Sequence, residues 1–433
     1  MNKRVTVCPI PQGDGRYGVD PSGNPLDRFG LSRPVWLLGW VSFFTDTAGE
    51  SIYPLLPLFL TQVLGAGAMS IGVIEGVAEA ANSILKIVSG WFADRSGALK
   101  PLVLAGYALS SLIRPLMSMV GSWPQVLFLR FGDRLGKGIR SSARDAMLAS
   151  YAPPALRGRV YGFHQAMDHA GAVIGPLAAT AYLYFHPAAY RSLFAWTLLP
   201  GVIVVLVILR LPSASSSAKS AAAVAPGAAM TSNRARLSPR FYRAMFVITL
   251  FSLGNSTDAF LLLRLNNVGV AAVWIPLVWS AIHVVKMSSS VIGGTLSDRL
   301  GRRAMIGLGY FWYAGIYFAF GWFTSLTASV AVFLAYGIYF GLTEGVEKAW
   351  VADMAPIEAR GIAFGIYNGA IGFGALAASL LFGAIWTEIS PRAAFMTGAA
   401  LALVASALLA VLFRDNSRPI PNAARRTADG RLG

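Results

Sequence analysis

Apolar residues run along this chain in stretches of about twenty, cut by short polar or Gly/Pro-bearing breaks. Runs such as 196–211 and 399–413 are almost free of charge. A helix needs about 20 residues to cross the hydrocarbon of a bilayer. The pattern therefore predicts spans over residues 35–60, 71–92, 101–120, 124–151, 159–185 and 191–211, and again over 241–266, 270–296, 304–324, 328–353, 361–388 and 392–413. Residues 1–33 are rich in Gly, Pro and Asp, lack the apolar core of a signal peptide, and read as a mobile tail. Residues 212–240 are Ser/Ala/Pro-rich and then basic at Arg234, Arg236 and Arg240, which reads as a linker. An arginine-bearing tail, 414–433, closes the chain. The predicted fold class is an all-α membrane protein of twelve transmembrane helices, with one six-helix bundle over 34–211 and a second over 241–413.

Composition sharpens the picture. The chain is 55% hydrophobic and 13% charged, with a mean hydropathy of +0.57, where a soluble domain carries about 25% charged residues. A soluble globule, a disordered chain and a fibrous repeat are excluded. Cys8 is the single cysteine, so no disulfide framework or Cys-based metal site is expected, and four histidines are too few for a metal store. No metal and no cofactor are expected.

The formal charge of +16 would suggest nucleic acid in a soluble protein. Its distribution says otherwise. Leaving aside residues at the span ends, ten Lys/Arg and ten Asp/Glu fall inside the spans, as expected where buried ions must be paired. Of the other 26 Lys/Arg, 24 lie in the tails and alternate loops of one side, and only Arg191 and Arg392 lie on the other. This positive-inside pattern predicts a multi-pass protein of the inner cell membrane with both termini cytoplasmic. The expected partner is the bilayer, not nucleic acid.

The two halves repeat. Gly90-Trp-Phe-Ala-Asp94-Arg95-Ser-Gly97 matches Gly294-Thr-Leu-Ser-Asp298-Arg299-Leu-Gly301 at an offset of 204. Residues 138–162 align with 341–365 at an offset of 203, equating Pro153 with Pro356 and Arg157 with Arg360. Two similar six-helix halves joined by a long linker predict a binding site at their interface near the midplane. In each loop after the second span of a half, glycines permit a tight turn. The Asp–Arg pairs Asp94/Arg95 and Asp298/Arg299 can latch neighbouring helices in one state and release them in another.

On these residues the chain resembles the major facilitator superfamily across almost all of 35–413. The two loops are similar to its motif A. Arg130-Phe-Gly-Asp133-Arg134-Leu-Gly136-Lys137-Gly138 is similar to its motif B, and the resemblance implies a role for Arg130 in proton coupling or substrate contact. Asp133-Arg134 and Lys137 depart from the usual motif. Gly162, Gly171, Gly175 and Pro176 in the fifth span match most of motif C, which the resemblance associates with exporting antiporters, although Ala179-Thr180 replaces its final glycine pair. Small residues there let helices approach closely and Pro176 bends one. The resemblance implies a transporter complete in one chain, hence a monomer.

The fourth span is the most unusual. At 100° per residue, Arg130, Asp133, Arg134, Lys137, Arg140, Arg144 and Asp145 fall within an arc of about 140°, which must face a cavity or paired partners rather than lipid. The second span offers partners on one face: Glu75, Glu79, Asn82 and Lys86. Asp46 and Glu50 lie one turn apart on the first span, where two repelling carboxyls favour proton exchange. Asp46, Glu50 and Glu79 are the candidate proton sites, and a carboxyl locked to a nearby Arg is the alternative for each. Asp258 overlays Glu50 at a loose offset of 208. His283 and Lys286 share a face of the eighth span. His283 with Met287 makes only half a copper site. His164 and Asp168 suit a hydrogen-bonded pair. In the tenth span Glu344, Glu347 and Lys348 are the mates of Ser141, Arg144 and Asp145, with the charge order reversed. Arg144 and Glu347 are thus expected to pair across the halves as a cytoplasmic gate. The aromatic run Tyr310–Tyr313, with Tyr317, Phe318, Phe320 and Trp322, reads as lipid-facing or interfacial packing rather than a ligand box.

The favoured reading is alternating access with proton-driven export of a small organic molecule, so that small-molecule substrate and protons are the partners. Uptake or exchange of an anionic metabolite, or of a metal ion or chelate, stays open. So does a non-transporting receptor or assembly factor. No phosphate loop, paired metal ligands or nucleophile elbow is present in the sequence, so an enzyme is not expected.

Overall fold

The computed structural model describes residues 19, 20, 24–27, 29–96, 99–151, 157–212, 237–356 and 360–413. Helix α1 spans Arg33–Ile52 and continues through short turns at Tyr53–Leu55, Leu56–Leu58 and Phe59–Val63. Then come α2 (Ala68–Ser96), α3 (Leu99–Leu116), α4 (Trp123–Tyr151), α5 (Arg157–Phe185) and α6 (Tyr190–Trp196, then Leu198–Leu209). The second half holds α7 (Pro239–Gly254, then Asp258–Asn267), α8 (Ile275–Leu300), α9 (Arg302–Trp322), α10 (Leu326–Met354), α11 (Arg360–Glu388) and α12 (Pro391–Leu412). These are the twelve spans read from the sequence, in two pseudo-symmetric bundles of six.

Among the described residues, nine of the twelve are apolar enough to qualify as membrane spans by length and composition alone. The other three are α1, α4 and α5. All belong to the first half, and all carry ionisable groups in mid-helix: Asp46 and Glu50, the seven ions of α4, and His164, Asp168 and His169. Helices this polar are stable in a bilayer only when their polar faces meet one another or a cavity. Here α1 lies on α5 through two glycines. A Cβ on Gly171 or Gly175 would collide with the carbonyl oxygen of Phe43 or Thr47. This is the close approach expected of the small residues around Pro176.

Two spans break where the sequence suggests no interruption. Pro54 and Pro57 remove backbone donors from α1, whose end tightens and then widens. In α7 the helix stops at Gly254 and restarts at Asp258, with Thr257 capping the new start by accepting from the Ala259 N–H at 3.4 Å. The freed backbone is served by tyrosines of α9: Tyr313 Oη donates to the Gly254 carbonyl at 3.2 Å and to Asn255 Oδ1 at 3.2 Å, and the Ser256 and Tyr317 hydroxyls lie 3.0 Å apart. Broken helices occur at membrane depth when side chains satisfy their backbone in this way. The aromatic run of α9 therefore divides by face. Phe311, Phe318 and Trp322 are exposed on the outer surface, as expected, whereas Phe320 and the three tyrosines Tyr310, Tyr313 and Tyr317 are buried, and Tyr313 and Tyr317 support the break. That corrects the lipid-facing reading for those four residues.

Repeat offsets locate the symmetry axis. Tyr53 Oη lies 3.4 Å from Thr257 Oγ1, and Gln62 Nε2 donates to Asn266 Oδ1 at 2.9 Å; both pairs are 204 residues apart. A residue that touches its own repeat mate sits on the pseudo-twofold axis. The flanking contacts also come in mates. Gly76 meets Leu376 between α2 and α11, while Ser280 Oγ donates to the Val173 carbonyl at 2.8 Å between α8 and α5. Gly72 is close enough to the Ser379 carbonyl that an added Cβ would collide with it. These contacts between halves gather toward the end of the bundle away from the helix α1 N-terminus, here the far end. At the opposite, terminal end, Glu344 and Lys348 of α10 and Asp145 of α4 are exposed. Between the two ends, α2 and α11 part around a crevice lined by Ile84, Val88, Gly369 and Phe373.

Several expectations change at the periphery. The segment before α1 is not simply a loose tail. Asp27 accepts from the backbone N–H of Phe29 (2.8 Å) and Leu31 (2.9 Å) and from Trp36 Nε1 (2.8 Å), which folds the chain back and buries Leu26 and Leu31. Residues 1–18, most of the linker (213–236) and the closing tail lie outside the described residues. Asp94/Arg95 and Asp298/Arg299 fall in the last turns of α2 and α8 rather than in loops, and their side chains and that of Lys86, like the surroundings of Gly162, lie outside what the structure describes. Arg191 and Arg392, the two cations on the sparse side, are engaged locally. Arg191 donates to the Ser118 and Val120 carbonyls at 2.8 and 2.6 Å, and Arg392 sits 4.4 Å from the Trp322 ring centre.

Candidate functional site

In the first half the ions of α2, α3 and α4 form one chain. Arg130 grips Glu75 with Nε and Nη2, both at 2.9 Å, and its Nη1 lies 3.8 Å from Asp133. Asp133 also accepts from Arg114 Nε at 3.0 Å, and Arg114 Nη1 donates to the Thr45 carbonyl of α1 at 2.6 Å. Arg130, Asp133, Glu75 and Arg114 are all buried. Two guanidinium groups and two carboxylates alternate, so the chain is neutral, and its Arg130–Glu75 link is bidentate, as suits buried ions. Further along α4, Arg140 Nη1 donates to Ser110 Oγ at 2.6 Å and lies 4.5 Å from the Tyr107 ring centre. Arg134 lies within electrostatic reach of Glu79 and Glu75, and Asn82 Nδ2 donates to Glu79 Oε1 at 3.2 Å. Lys137, one turn beyond Asp133, is half-buried on the same helix.

The matching region of the second half is built differently. At the repeat offsets, Trp279 stands for Glu75, Phe333 for Arg130, Tyr336 for Asp133 and Phe340 for Lys137. The Lys286 ammonium lies 3.8 Å from the Phe340 ring centre and 5.0 Å from that of Trp279, and 3.3 Å from Asp258 Oδ2. Tyr336 Oη donates to the other Asp258 oxygen at 2.7 Å. One wall of the interface is thus an ionic chain and the other an aromatic box around a single Lys–Asp pair.

Glu50 joins the two walls. Trp279 Nε1 donates to its Oε2 at 2.8 Å, and His283 Nε2 lies 3.9 Å from the same oxygen. Although Asp46 is one turn away, it does not cross to the second half; it lies against Gly171 of α5. Several buried polar atoms make no hydrogen bond. Among the described residues, five of the eight are Asn82 Oδ1, Arg134 Nε, His164 Nε2, Asp168 Oδ1 and His283 Nε2, on helices that line or adjoin the interface. Unsatisfied groups are rare in protein cores, so each of these atoms is a position where water or a polar guest can bind.

Other expected residues are placed as follows. His164 Nδ1 lies 3.7 Å from Asp168 Oδ2, near each other without a hydrogen bond. Glu344 pairs with Lys348 on its own helix at 3.3 Å and is exposed. The expected Arg144–Glu347 gate is not formed in this conformation. Arg144 pairs with its neighbour Asp145 at 2.9 Å, while Glu347 is buried within the second half, accepting from Tyr310 at 2.9 Å and Tyr367 at 3.0 Å. Repeat mates on α4 and α10 that lie off the axis need not meet, because only the residues on the axis do. The overlay of Asp258 on Glu50 also fails at the offset of 204 shown by the axial pairs, which sets Gly254 opposite Glu50. Sequence reasoning passed over Trp279, Tyr336, Tyr53 and Arg114 as site residues. The repeat offset applied to Glu75 and Asp133 points straight to Trp279 and Tyr336.

Comparison with known proteins agrees with this architecture. The family model described as Major Facilitator Superfamily matches residues 35–346 and, overlapping, 277–431. An MFS-type transporter of Methanocaldococcus jannaschii is 29% identical over 385 residues, covering 88% of this chain and 94% of the relative. The Multidrug resistance protein MdtH of Yersinia pestis is 31% identical over 135 residues, 31% of this chain and 33% of that protein. The crystal structure of the nucleoside transporter NupG superposes with a TM-score of 0.73 at 13% identity, covering 88% of this chain and all of the other. With its repeated halves, its interface site and a family match over most of its length, this chain belongs to the major facilitator superfamily.

Proposed function

We propose that the protein is a secondary active transporter of the inner membrane that works by alternating access, exchanging inward-moving protons for an exported small organic molecule. The terminal end is taken as cytoplasmic, from the charge asymmetry of the loops. In this conformation the far end is closed, so the cargo site faces the cytoplasm.

The observation that carries the reading is Glu50. It is a carboxyl of one half, held across the interface by an indole N–H of the other. Hydrogen bonds to a charged acceptor contribute about 1.5–3 kcal/mol, against about 0.5–1.5 kcal/mol for neutral pairs. Neutralising Glu50 therefore weakens the far-end closure by about 1–1.5 kcal/mol, or roughly tenfold in the balance of states. A bare carboxylate holds the empty carrier facing inward. A proton, or a cargo that offsets its charge, releases it. This is the condition for exchange without leakage. Export in particular draws support from the glycine-lined α1–α5 contact and from the partial likeness to a protein named for multidrug resistance.

An anionic cargo is the second reading, favoured by the unpartnered Nε of Arg134. The test is proton movement in sealed proteoliposomes holding a pH-sensitive dye under an imposed gradient, with pooled cationic, neutral and anionic compounds added. Substrate-evoked flux that disappears in Glu50→Gln supports coupled exchange. Silence from folded protein across all pools removes the reading.

A further inference from the structure

In the ionic wall the buried chain of Glu75, Arg130, Asp133 and Arg114 is balanced by its own members. The aromatic wall is not. It holds two carboxylates, Asp258 and Glu50, joined through one indole: Trp279 donates to Glu50 by its N–H and presents its ring to the Lys286 ammonium. Lys286 is already committed to Asp258 at 3.3 Å. Glu50 is met by an indole and an imidazole, and its side chain is 28% exposed, against 13% for Lys286 and 18% for Asp258. With the imidazole neutral, this wall carries one unit of negative charge that no lysine or arginine within it offsets.

The shape of the box is equally specific. An ammonium seated 3.8 Å from one ring centre, 5.0 Å from a second and 3.3 Å from a carboxylate is in the environment that binds organic cations. Here the occupant is the end of a flexible four-carbon side chain anchored on α8, which is free to swing away while its ammonium remains in reach of water.

We propose that the aromatic box is the cargo site and that its cargo is a monovalent, apolar-bodied organic cation, with Lys286 a tethered stand-in that the cargo displaces. The proposal rests on the transporter reading for the cargo's passage but not for its binding. The cation takes the π faces of Trp279 and Phe340 and the charge of Asp258, and its proximity to Glu50 does the work that a proton does in the return step. One cation therefore exchanges for one proton. An anion entering the same box would meet ring faces and two carboxylates instead.

The test uses two probes of one shape and opposite charge, tetraphenylphosphonium and tetraphenylborate. Binding to the full-length protein in lipid nanodiscs is followed by isothermal titration, with empty nanodiscs subtracted. The phosphonium is expected to bind and the borate not. Lys286→Gln removes the competing occupant. If the lysine fills the box nine-tenths of the time, phosphonium affinity rises about tenfold. Phe340→Leu keeps apolar volume but removes a ring face, and affinity falls roughly threefold to thirtyfold. Should Lys286→Gln misfold, Phe340→Leu and the charge preference of the wild type still decide. Preference for the borate, an unchanged phosphonium affinity in folded Lys286→Gln, or no phosphonium binding by the wild type each overturns the proposal. Proton flux evoked by anionic compounds would leave the transporter reading intact while this one fails. Phosphonium binding without any flux would do the reverse.

Discussion

Adding one methyl group at Gly72 tests whether the α2–α11 crossing sets the balance between the two access states. Its Cβ would collide with the Ser379 carbonyl oxygen, and the neighbouring contacts, Gly76 on Leu376 and Gly372 on Ser83, leave little room for α2 to slide. Backbone does not yield as a side chain does, and overpacking of this kind costs about 1–3 kcal/mol. Alanine also gains about 0.8–1 kcal/mol of helix propensity over glycine, but that gain is the same in both access states and cancels from their ratio. The overpacking does not cancel, because it exists only while the far end is closed. Gly72→Ala should therefore move the ratio of states about 5- to 150-fold toward the conformation open at the far end. The reporter is a single cysteine in place of the exposed Glu344, in a Cys8→Ser background that removes the one native thiol. Labelling by a membrane-impermeant maleimide from the terminal side should slow as that side closes. Gly345→Ala on α10 is the control, since a Cβ there meets nothing within 4 Å. Labelling of the Gly72 variant within twofold of the control, in protein of equal yield, would refute the assignment of this crossing as the closed gate.

Three further outcomes follow from the same geometry. Glu75→Gln or Arg130→Gln alone strands a buried charge and should lower stability by about 3–5 kcal/mol, whereas the double replacement recovers much of it; melting of the three variants in detergent decides, and harmless single replacements would disprove the buried pairing. Glu50→Gln keeps an acceptor for Trp279 but not the charge, so proton-driven uphill movement should fall at least tenfold while cargo-for-cargo exchange survives; loss of both together counts against a coupling role. Tyr313→Phe leaves the Gly254 carbonyl without its donor at the α7 break and should cost about 0.6–1.7 kcal/mol in a bilayer setting, and no change in melting would mean that the backbone there finds another partner.

The fold was legible because it depends on quantities a sequence carries directly: run length, loop charge and a repeat. Even α1, α4 and α5, which fall short of an apolar criterion, are legible as spans, and their repeat mates α7, α10 and α11 are apolar enough to qualify outright. The ionic chain was half legible. Helical angles alone place Glu75 and Arg130 on faces that can meet, but choosing Arg114 as the partner of Asp133 requires knowing that α3 packs against α4 at that level. The aromatic wall was hidden for a different reason. Tryptophan, tyrosine and phenylalanine in a membrane span serve equally as lipid contacts, packing or ligand walls, and periodicity does not separate these uses. Tyr310, Tyr313 and Tyr317 follow the buried face of α9 while Phe311, Phe318 and Trp322 follow its outer face, a division that appears only once the break in α7 is seen.

The fate of the expected Arg144–Glu347 gate shows what the repeat can and cannot establish, and it yields a final prediction. Reversed charge order at mated positions suggests complementary partners, yet a pseudo-twofold axis brings mates together only on the axis itself, where Tyr53 meets Thr257 and Gln62 meets Asn266. Away from it, each half uses the position for its own purposes. Arg144 stays near its exposed neighbour Asp145, and Glu347 is buried between two tyrosine hydroxyls. A double reversal, Arg144→Glu with Glu347→Arg, would bury a guanidinium where both described partners are tyrosine hydroxyls, at a cost of about 2.5–3.5 kcal/mol or more. It should transport no better than Glu347→Arg alone. Recovery of activity in the double variant would show that the two residues pair in the other access state, and would return Glu347 to the gate.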